Sequence, residues 1–584
     1  MDEFTNDIAH RADGAWTGRA PALLWRGPVG SAALPYRTSA TNMLSVEAWV
    51  HGGPRRPETV QTLVSRWPLS ETLDHWHGYD AGHCDGLRSE AYFGAVFDGR
   101  YVYFAPQHYE DRTAHGIVLR YDSHGEFSQP GSYAAYDAGA TDGLSTRGYY
   151  GAAFDGRYVY FVPRQTEAGY HSRVLRYDTR GAFKDGASWQ AYDVGEAHSQ
   201  QGVAFDGRYL YFSPGFAGDP RREDTASARV IRFDTHAPFK SPQSWKVFDA
   251  GRASNLSLGC FDGAAFDGRY IYFVPLQSGH ALRYDITGDF EDPASWQAVD
   301  AQPFGLRACV GAVFDGRFLY YVPYAHARVV RFDVQGDFTD AASWQAREVD
   351  PTNGLDTGGF DGGFFDGRYV YFVPFVGRRG NPVRGYFHSN MLRYNTAQPF
   401  QTAQSWAAVD ASRTDGLATV GYNAGAFDGR FFYMAPWRDG TGQGGMHGRI
   451  LRYDTAAASA VFKLNYCDYG HNGGLCAAVP GPSFVVNTLQ GPVSAAAHRV
   501  LEPGWHHVVG VYSGLELTLF IDGKLVAQQA GRGQLPPSSE PVWVGQLEAG
   551  DARFVGDIHL ARVWPAALDA NAVAALYNDL SASS

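Results

Sequence analysis

The chain has 584 residues, a formal charge of −12 and 69 glycines, and 15% of its residues are aromatic. This length exceeds one ordinary core, so we expect two or more domains, and the glycine- and aromatic-rich composition favours short strands and tight turns. The negative charge argues against nucleic-acid binding, and no apolar run approaches the roughly 18 residues of a membrane span.

The N-terminal segment carries no visible secretory signal, because residues 1–16 read MDEFTNDIAHRADGAW, which is acidic and lacks an apolar run. The compartment is left open: cytoplasmic, or extracellular or cell-surface if a signal has been removed. Five cysteines are too few for a disulfide scaffold. Cys467 and Cys476 flank a predicted hairpin and are either a disulfide across it or two buried thiols.

A four-letter motif, FDGR, occurs seven times, beginning at Phe97, Phe154, Phe205, Phe266, Phe314, Phe365 and Phe427. Each repeat contains two alternating strands joined at Asp-Gly, a third strand such as VLRYD, and a fourth that usually begins with Trp. Asp-Gly between alternating hydrophobic residues predicts a two-residue hairpin turn with positive φ. The pattern predicts an all-β fold with a seven-bladed β-propeller of four-stranded antiparallel blades.

The repeated charged residues are interpreted as scaffold. One identical catalytic carboxylate per blade has no chemical use, so the FDGR aspartate is assigned to the turn. The Arg and Asp of the third strand are expected to pair between neighbouring blades. Five histidines precede the third strand at one spacing, and we expect a repeated structural hydrogen bond there, because strand three lies too far from the axis for one shared metal ion. They are His115, His171, His326, His388 and His447.

The propeller is predicted to close between the two ends of the repeat region. The seventh repeat has no SW-x-x-x-D segment after its third strand, whereas a similar segment precedes the first repeat, with Trp76 and Asp80 at the expected places. Residues 74–81 are therefore expected to form the fourth strand of blade 7, which removes an open sheet edge.

The segments outside the repeats read SVEAWV, QTLVSRW, GWHHVVGVY, LFIDGKLV, VWVGQ and FVGDIHLARVWPAAL, in that order. They resemble the laminin-G-like, concanavalin A-type jelly roll. The resemblance covers residues 16–67 and 459–580 and implies a β-sandwich, with the propeller, residues 68–458, inserted into one of its loops. Trp49, Trp505 and Trp564 are expected to face the sandwich core, with sugar platforms as the alternative. Cofactors stay open, and a structural calcium ion is one option.

Residues that break a repeat are the ones able to carry specificity, and we expect several of them to ring one mouth of the propeller channel. Four residues before each FDGR phenylalanine stand Phe93, Tyr150, Gln201, Asp262, Val310, Asp361 and Asn423. One residue earlier stand Tyr92, Tyr149, Gln200, Phe261, Cys309, Phe360 and Tyr422. Further candidates are Glu90, Arg147, His198, Arg307 and Trp437. The alternative is a water-filled channel whose polar groups are satisfied.

Loop lengths between strands two and three predict low blades 4 and 5 and a cleft suited to an extended ligand. Arginines on the longer loops suggest an anionic sugar polymer: Arg164, Arg221, Arg222, Arg378, Arg379, Arg384 and Arg438. Carbohydrate recognition is the favoured function, since no nucleophile elbow, zinc motif or phosphate loop is present. No nucleic acid or membrane span is expected, and the oligomeric state is open.

Two enzymatic readings and one adhesive reading are kept as alternatives. A polysaccharide lyase would use His198 or Tyr149 as base and Arg147 to hold the developing charge. A glycoside hydrolase would use Asp262 and Asp361, which look too distant, two blades apart, for the retaining path. A protein-binding adhesion scaffold would have no chemistry.

Overall fold

The computed structural model describes residues 23–26, 32–34, 43–52, 61–219, 223–324, 326–377, 386–441, 445–468, 475, 477–478, 481–548 and 552–581. The protein is all-β, as predicted: in this part of the chain the one α-helix is Ala570–Ser581, and the rest is strands, short 3-10 turns and loops. Within these residues no helix combines the length and the hydropathy needed to cross a membrane.

Seven sheets, here numbered 1 to 7, each contain four antiparallel strands in the order first to fourth, and sheets 2 and 3 each have one further short strand, Ala477–Ala478 and Glu223–Ala226. Sheets 1 to 3 contain Tyr92–Phe97, Tyr101–Pro106, Ile117–Asp122 and Tyr133–Asp137; Tyr149–Phe154, Tyr158–Pro163, Arg173–Asp178 and Trp189–Asp193; His198–Phe205, Tyr209–Asp219, Arg229–Asp234 and Trp245–Asp249. Sheets 4 to 6 contain Phe261–Phe266, Tyr270–Pro275, His280–Asp285 and Trp296–Asp300; Cys309–Phe314, Phe318–Pro323, Arg328–Asp333 and Trp344–Glu348; Phe360–Phe365, Tyr369–Pro374, Asn390–Asn395 and Trp406–Asp410. Sheet 7 contains Tyr422–Phe427, Phe431–Pro436, Arg449–Asp454 and Trp76–Asp80.

The seven sheets form a closed cycle. The first strand of each sheet contacts the first strand of the next, and the first strand of sheet 7 contacts that of sheet 1. In sheet 7, Trp76–Asp80 pairs antiparallel with Arg449–Asp454, with Asp80 opposite Arg449 and Trp76 opposite Tyr453. The two ends of the repeat region are thus joined in one sheet, and the first strands surround a common axis.

The FDGR aspartate is a turn scaffold. In sheet 1, Asp98 accepts hydrogen bonds from the backbone N–H groups of Arg100 (2.9 Å) and Tyr101 (2.6 Å) and from the Tyr103 hydroxyl (2.8 Å). The other six sheets repeat these bonds. Burial raises the pKa of the Asp98 carboxyl, and the hydrogen bonds oppose that shift.

The turn type differs from the expected two-residue form with two positive φ angles. Gly99 has φ +101°, but Asp98 is outside the left-handed region, because its side chain holds the turn by accepting hydrogen bonds from the residues that follow. Asp522-Gly523 in the sandwich does have the expected form, with φ +52° and +71°. The same dipeptide therefore makes two types of turn in this chain.

The third-strand aspartate pairs within its own sheet, not with a neighbouring sheet as expected. Arg100 Nη2 lies 2.7 Å from Asp122 Oδ2, and five further sheets repeat this ion pair. The third-strand arginine does bridge sheets: the Arg120 guanidinium lies 4.0 Å from the ring centre of Tyr101 and 4.3 Å from that of Phe183 in sheet 2.

Sheet 6 is the exception to the ion-pair pattern, since Asn395 replaces the aspartate. Its FDGR arginine, Arg368, instead lies 2.9 Å from Glu71 and 2.8 Å from Glu548. The substitution therefore directs one repeated arginine toward the second part of the protein.

That second part is a sandwich of two six-stranded sheets. The outer sheet contains, in spatial order, Leu23–Arg26, Gly556–Trp564, Leu44–Gly52, Gly504–Tyr512, Glu516–Ile521 and Lys524–Ala530. The inner sheet contains Ala32–Leu34, Val542–Val544, Gln61–Arg66, Phe462–Asp468, Gly481–Thr488 and Gly491–Ala496. Gln61–Arg66 and Phe462–Asp468 are neighbours although the seven cyclic sheets lie between them in sequence.

The three sandwich tryptophans were expected in the core, and this is wrong for all three. Val46, Ala48 and Val50 face the core, so the alternation of the strand turns Trp49 to the opposite face. Trp49 stacks there on Trp505, whose side chain is 42% exposed. Trp564 pairs with Ser45 and is buried on that same face.

The FDGR hairpins lie against the sandwich. His498 contacts Phe154 and approaches Gly99 and Gly156 so closely that neither glycine has room for a Cβ. Lys463 Nζ donates to the Gly429 carbonyl, and the Ala552 N–H donates to Gly367 O at 2.8 Å. The glycine of the repeat thus provides a close-approach surface. Whether Cys467 and Cys476 form a disulfide falls on side chains outside the described residues.

Candidate functional site on the ring axis

One residue of each first strand points to the axis, and a β-bulge turns it there. The pairing register of the first two strands shifts around this position in all seven sheets. The next residue has positive φ: Gly94, Gly151, Gly202, Gly263, Gly311, Gly362 and Ala424. Such bulges re-aim a side chain. The seven side chains aimed inward are Phe93, Tyr150, Gln201, Asp262, Val310, Asp361 and Asn423, and each is buried.

Asp262 receives hydrogen bonds from two other sheets. The Tyr150 hydroxyl donates to Asp262 Oδ2 at 2.8 Å, and Gln201 Nε2 donates to the same oxygen at 2.6 Å. Tyr150 belongs to sheet 2 and Asp262 to sheet 4, which are not neighbours, so the two side chains meet at the axis. Burial raises the pKa of Asp262 to about 7, against the opposing effects of Tyr150, Arg164 and Gln201.

Asp361 and Arg164 belong to the same electrostatic unit. Burial raises the pKa of Asp361 well above its usual range, the charge of Asp262 raises it further, and Arg164 lowers it. The Arg164 guanidinium lies 4.5 Å from the ring centre of Tyr150. We call Tyr150, Arg164, Gln201, Asp262, Asp361 and Asn423 the axial cluster.

The axial cluster has hydrogen-bonding capacity to spare. Among the described residues, no partner reaches Asp262 Oδ1, Asp361 Oδ1, Gln201 Oε1 or either polar side-chain atom of Asn423. Such atoms are rare in protein interiors and call for a ligand, an ion or water. The oxygens are of the kind that Ca²⁺ prefers, although Arg164 already places positive charge beside them.

Aromatic rings cover the cluster at the end opposite the FDGR hairpins. Phe93 stacks on Tyr150 at 4.0 Å, and Trp437 lies 5.3 Å from Phe93 and 5.4 Å from Phe375 between ring centres. Trp437 and Phe375 each follow the proline that ends a second strand, which places them at this end. We call Phe93, Phe375 and Trp437, together with Tyr324 beside Phe375, the aromatic layer.

A segment of the sandwich reaches the axis from the hairpin end. Ala477–Ala478 pairs parallel with Ala153 and Phe154 of sheet 2. Leu475, just before it, is buried in the same apolar cluster as Phe93 and Tyr150. The axial cluster therefore lies between the aromatic layer and a segment from the sandwich.

Three of the predicted tyrosines lie elsewhere. Tyr149, Tyr92 and Tyr422 stand one residue before the bulge, so they point away from the axis into the cores between sheets, where all are 0% exposed. The Tyr149 hydroxyl donates to the Arg173 carbonyl at 3.3 Å, and burial raises its pKa well above the usual range. The expectation that these residues ring the channel mouth is wrong.

The other predicted residues divide between the rim and the axis. Glu90 pairs with Arg88 at 2.7 Å, Arg147 lies 3.4 Å from Glu167, and His198 lies 3.5 Å from Glu196. Burial lowers the pKa of His198. Arg307 has an exposed side chain, and its carbonyl accepts from His326. Gln201, Asp262, Asp361, Asn423 and Trp437 come together at the axis.

The arginines expected to hold an anionic polymer do not form a free cationic surface in the described residues. Arg164 lies beside the two axial aspartates, and Arg438 is 9% exposed and stacked over Trp437 at 4.7 Å. The remaining predicted positions, Arg221, Arg222, Arg378, Arg379 and Arg384, lie outside the described residues. The position of Arg164, directly after the proline that ends a second strand, is the signal that could have placed it at the axis.

The five repeated histidines make structural hydrogen bonds, as predicted. In each, Nε2 donates to a backbone carbonyl that lies just before the first strand of the same sheet. Nδ1 accepts from the N–H two residues later. Among the residues described here, no three His, Cys, Asp or Glu side chains are grouped so that they could hold a metal ion.

Comparison with known proteins identifies one segment. Residues 475–574 match the Laminin_G_3 family, described as the concanavalin A-like lectin/glucanases superfamily. No curated protein shows significant similarity to the chain. Two solved structures are similar over about half of it: "Crystal structure of Nidogen/Laminin Complex", at 14% identity and a TM-score of 0.29, covering 52% of this chain and 96% of that chain, and "Structure of YjhT", at 11% identity and a TM-score of 0.34, covering 54% and 93%. The C-terminal part of the chain is thus similar to concanavalin A-like domains.

Proposed function

We infer that the seven cyclic sheets are the blades of a seven-bladed propeller, residues 68–458, inserted into a laminin-G-like sandwich, residues 16–67 and 459–580. Three observations support this: the cyclic contacts of the first strands, the pairing of Trp76–Asp80 with Arg449–Asp454, and the adjacency of Arg66 and Phe462 in one sandwich sheet. The short distance between the insertion ends allows both domains to fold around one junction.

We propose that the protein recognises carbohydrate, an extended glycan, and that the axial cluster with its aromatic layer is the recognition site. The observation that carries this is the set of buried, unpartnered amide and carboxylate atoms beside aromatic rings. Sugar hydroxyls both donate and accept hydrogen bonds, and the C–H faces of sugars pack on aromatic rings, so this combination matches a glycan. The similarity of residues 475–574 to lectin-type domains supports the same ligand class.

The site is covered, so binding requires movement of the aromatic layer. Asp262 and Asp361 are each 1% exposed, and Phe375 and Trp437 are almost fully buried. These two rings follow strands and begin loops, which makes them the parts of the cover best able to shift. In the bound state the same rings would stack on the sugar.

The test uses Asn423→Leu and glycan binding measured on an array and by calorimetry. Leucine has nearly the shape of asparagine and leaves no unpartnered amide, so we expect unchanged or higher stability. If the amide serves a ligand, glycan affinity falls at least tenfold in the same variant. Asp262→Asn should also weaken binding, whereas Asp300→Asn, at the exposed end of the fourth strand of the same sheet, should not. Absence of glycan binding by the wild type, or full binding by Asn423→Leu, overturns the proposal.

Glycoside hydrolysis is the second candidate, favoured by the raised pKa values of Asp262 and Asp361. A carboxyl that keeps its proton near neutral pH can act as general acid, and a second carboxyl can act as base or nucleophile. Release of reducing ends, abolished in Asp361→Asn while binding persists, would establish it. The lyase reading loses support because the Tyr149 hydroxyl is buried on the Arg173 carbonyl.

A further inference from the structure

The axial cluster contains more carboxyl groups than cationic side chains. Two carboxyl groups, Asp262 and Asp361, face one guanidinium, that of Arg164. Both carboxyls are 1% exposed, and each has one oxygen that no described residue reaches. A buried carboxylate without a partner is costly, and the cheapest partner is a donor that also carries positive charge.

The neighbouring uncharged groups add acceptors. The Gln201 amide N–H donates to Asp262, and no described residue donates to the Gln201 amide oxygen. Asn423 is 0% exposed and adds a second free amide oxygen. The free atoms on the axis are therefore mostly acceptors, four oxygens against the amide N–H₂ of Asn423 and the Nε of Arg164. This surplus favours a ligand that donates several hydrogen bonds.

The rings around the cluster suit a cation as well. The Arg164 guanidinium already lies over Tyr150 at 4.5 Å, which shows that a positive group is accommodated against this ring. Phe93 stacks on Tyr150 as well, and Trp437 packs edge-on to Phe93. Faces of aromatic rings attract cations, most strongly when water is excluded.

We propose that the axial site selects an amino sugar, with the ammonium group placed between Asp262 and Asp361 and the sugar ring against the aromatic layer. This rests on the proposed carbohydrate recognition and names the class of sugar. An ammonium group provides three N–H donors and a full charge, which matches the surplus of acceptors and the presence of two carboxyls beside one guanidinium. It also reverses the expectation of an anionic polymer, whose carboxylates or sulfates would be repelled here.

The test compares two matched ligands: oligomers of glucosamine and the same oligomers with every amine acetylated. We expect the wild type to bind the free amines at least tenfold more tightly, measured by calorimetry at pH 7.5. Asp262→Asn and Asp361→Asn should each reduce this preference to near unity, while Asp300→Asn keeps it. Thermal unfolding of each variant checks that the fold persists.

A pH series gives a second readout. Asp262, which faces Asp361, Arg164, Tyr150 and Gln201, holds a proton below about pH 7 in the free protein. Amine affinity should therefore fall more steeply below pH 7 in the wild type than in Asp262→Asn, because the titration of the ligand is common to both proteins and that of Asp262 is not. The same pH dependence in both proteins contradicts the role of Asp262.

The outcomes separate this inference from the function on which it rests. Equal affinity for the free and acetylated oligomers overturns the amino-sugar preference and leaves carbohydrate recognition standing. Binding of neither oligomer, with no other glycan bound on the array, overturns both. Titration with calcium chloride is the competing case: calcium binding that is lost in Asp361→Asn and that blocks the amine assigns the site to a metal ion instead.

Discussion

The FDGR aspartate controls each hairpin through three hydrogen bonds. Asp98 accepts two from backbone N–H groups and one from Tyr103, whose hydroxyl is enclosed with it. The turn and the start of the second strand therefore depend on one side chain. Because the same bonds recur in every sheet, the residue that looks most like a catalytic signature is the least available for chemistry.

Asp98→Ala should lower the free energy of unfolding by about 3 kcal/mol, since a buried hydroxyl and two turn N–H groups lose their acceptor. Asp98→Asn, which keeps one acceptor oxygen, should cost less. Asp137→Ala is the control, because Asp137 is exposed and accepts a single bond from the Gly139 N–H at 2.9 Å; we expect less than about 1 kcal/mol. Urea unfolding followed by tryptophan fluorescence measures the three, and equal losses for Asp98→Ala and Asp137→Ala would contradict the scaffold role.

At the scale of the element, the bulge of each first strand decides which residue reaches the axis. Without the bulge, strict alternation of side chains along the strand would decide which residues point to the axis. With it, the residue four before FDGR turns inward while the residue five before it packs between sheets. The next residue has positive φ, which glycine adopts without steric strain. Six of the seven sheets have glycine there, and sheet 7 has Ala424.

Gly362→Ala should test the bulge. Gly362 has φ +73°, and a Cβ there would lie 2.7 Å from Ala424 Cβ in sheet 7. Gly354, in the loop before the same strand, has φ +78° and nothing within 4 Å, so Gly354→Ala isolates the backbone strain. We expect about 1 kcal/mol for Gly354→Ala and a further 1–3 kcal/mol for Gly362→Ala, with loss of glycan binding only in the latter. Equal costs would mean that the first strands do not approach as closely as described.

The sequence predicts the elements well because their signals are local. Alternating residues around Asp-Gly gave the first two strands of each sheet, and the Trp76 spacing located a strand far from its partner. It predicts the site less well, because a bulge shifts the alternation of side chains by one residue. Near Tyr149 the one sequence signal of the bulge is Gly151. The Trp49 error was avoidable: Val46, Ala48 and Val50 already occupy the inward positions of that strand.

At the scale of the whole molecule, the repeats serve both the closure of the ring and the attachment of the sandwich. The glycines of five FDGR hairpins approach sandwich residues closely: Gly99 and Gly156 contact His498, Gly207 lies near Val500, and Gly367 and Gly429 accept hydrogen bonds from Ala552 and Lys463. Arg368 joins the same interface through Glu548. The cyclic sheets and the sandwich therefore share buried surface, and a disturbance repeated in many sheets should act on the protein as a whole.

The repeated histidines provide such a disturbance when the pH falls. Their two ring nitrogens are both used, one as donor and one as acceptor, which only the neutral ring allows. Burial lowers the pKa to about 3 in His115, His171 and His447 and to about 4 in His388, and it also lowers the pKa of His326. In the unfolded chain each of them titrates near 6.5.

Below pH 6.5 these histidines are protonated in the unfolded state but not in the folded state. Their contribution to the free energy of unfolding is therefore fully present above pH 6.5 and is lost as the pH falls toward 4. Each histidine contributes up to about 1.4 kcal/mol per pH unit in this window. Carboxyls whose pKa burial raises act in the opposite direction: Asp262, with its pKa raised to about 7, Asp361 and the FDGR aspartates. His198 and His498, whose pKa burial also lowers, add to the effect of the five repeated histidines. We expect the urea midpoint to fall steeply between pH 6.5 and 5.

His171→Gln, which keeps a donor for the Arg147 carbonyl, should reduce the slope of the urea midpoint against pH by about the contribution of one histidine. A midpoint that stays constant over this pH range would show that the five rings accept protons in the folded protein.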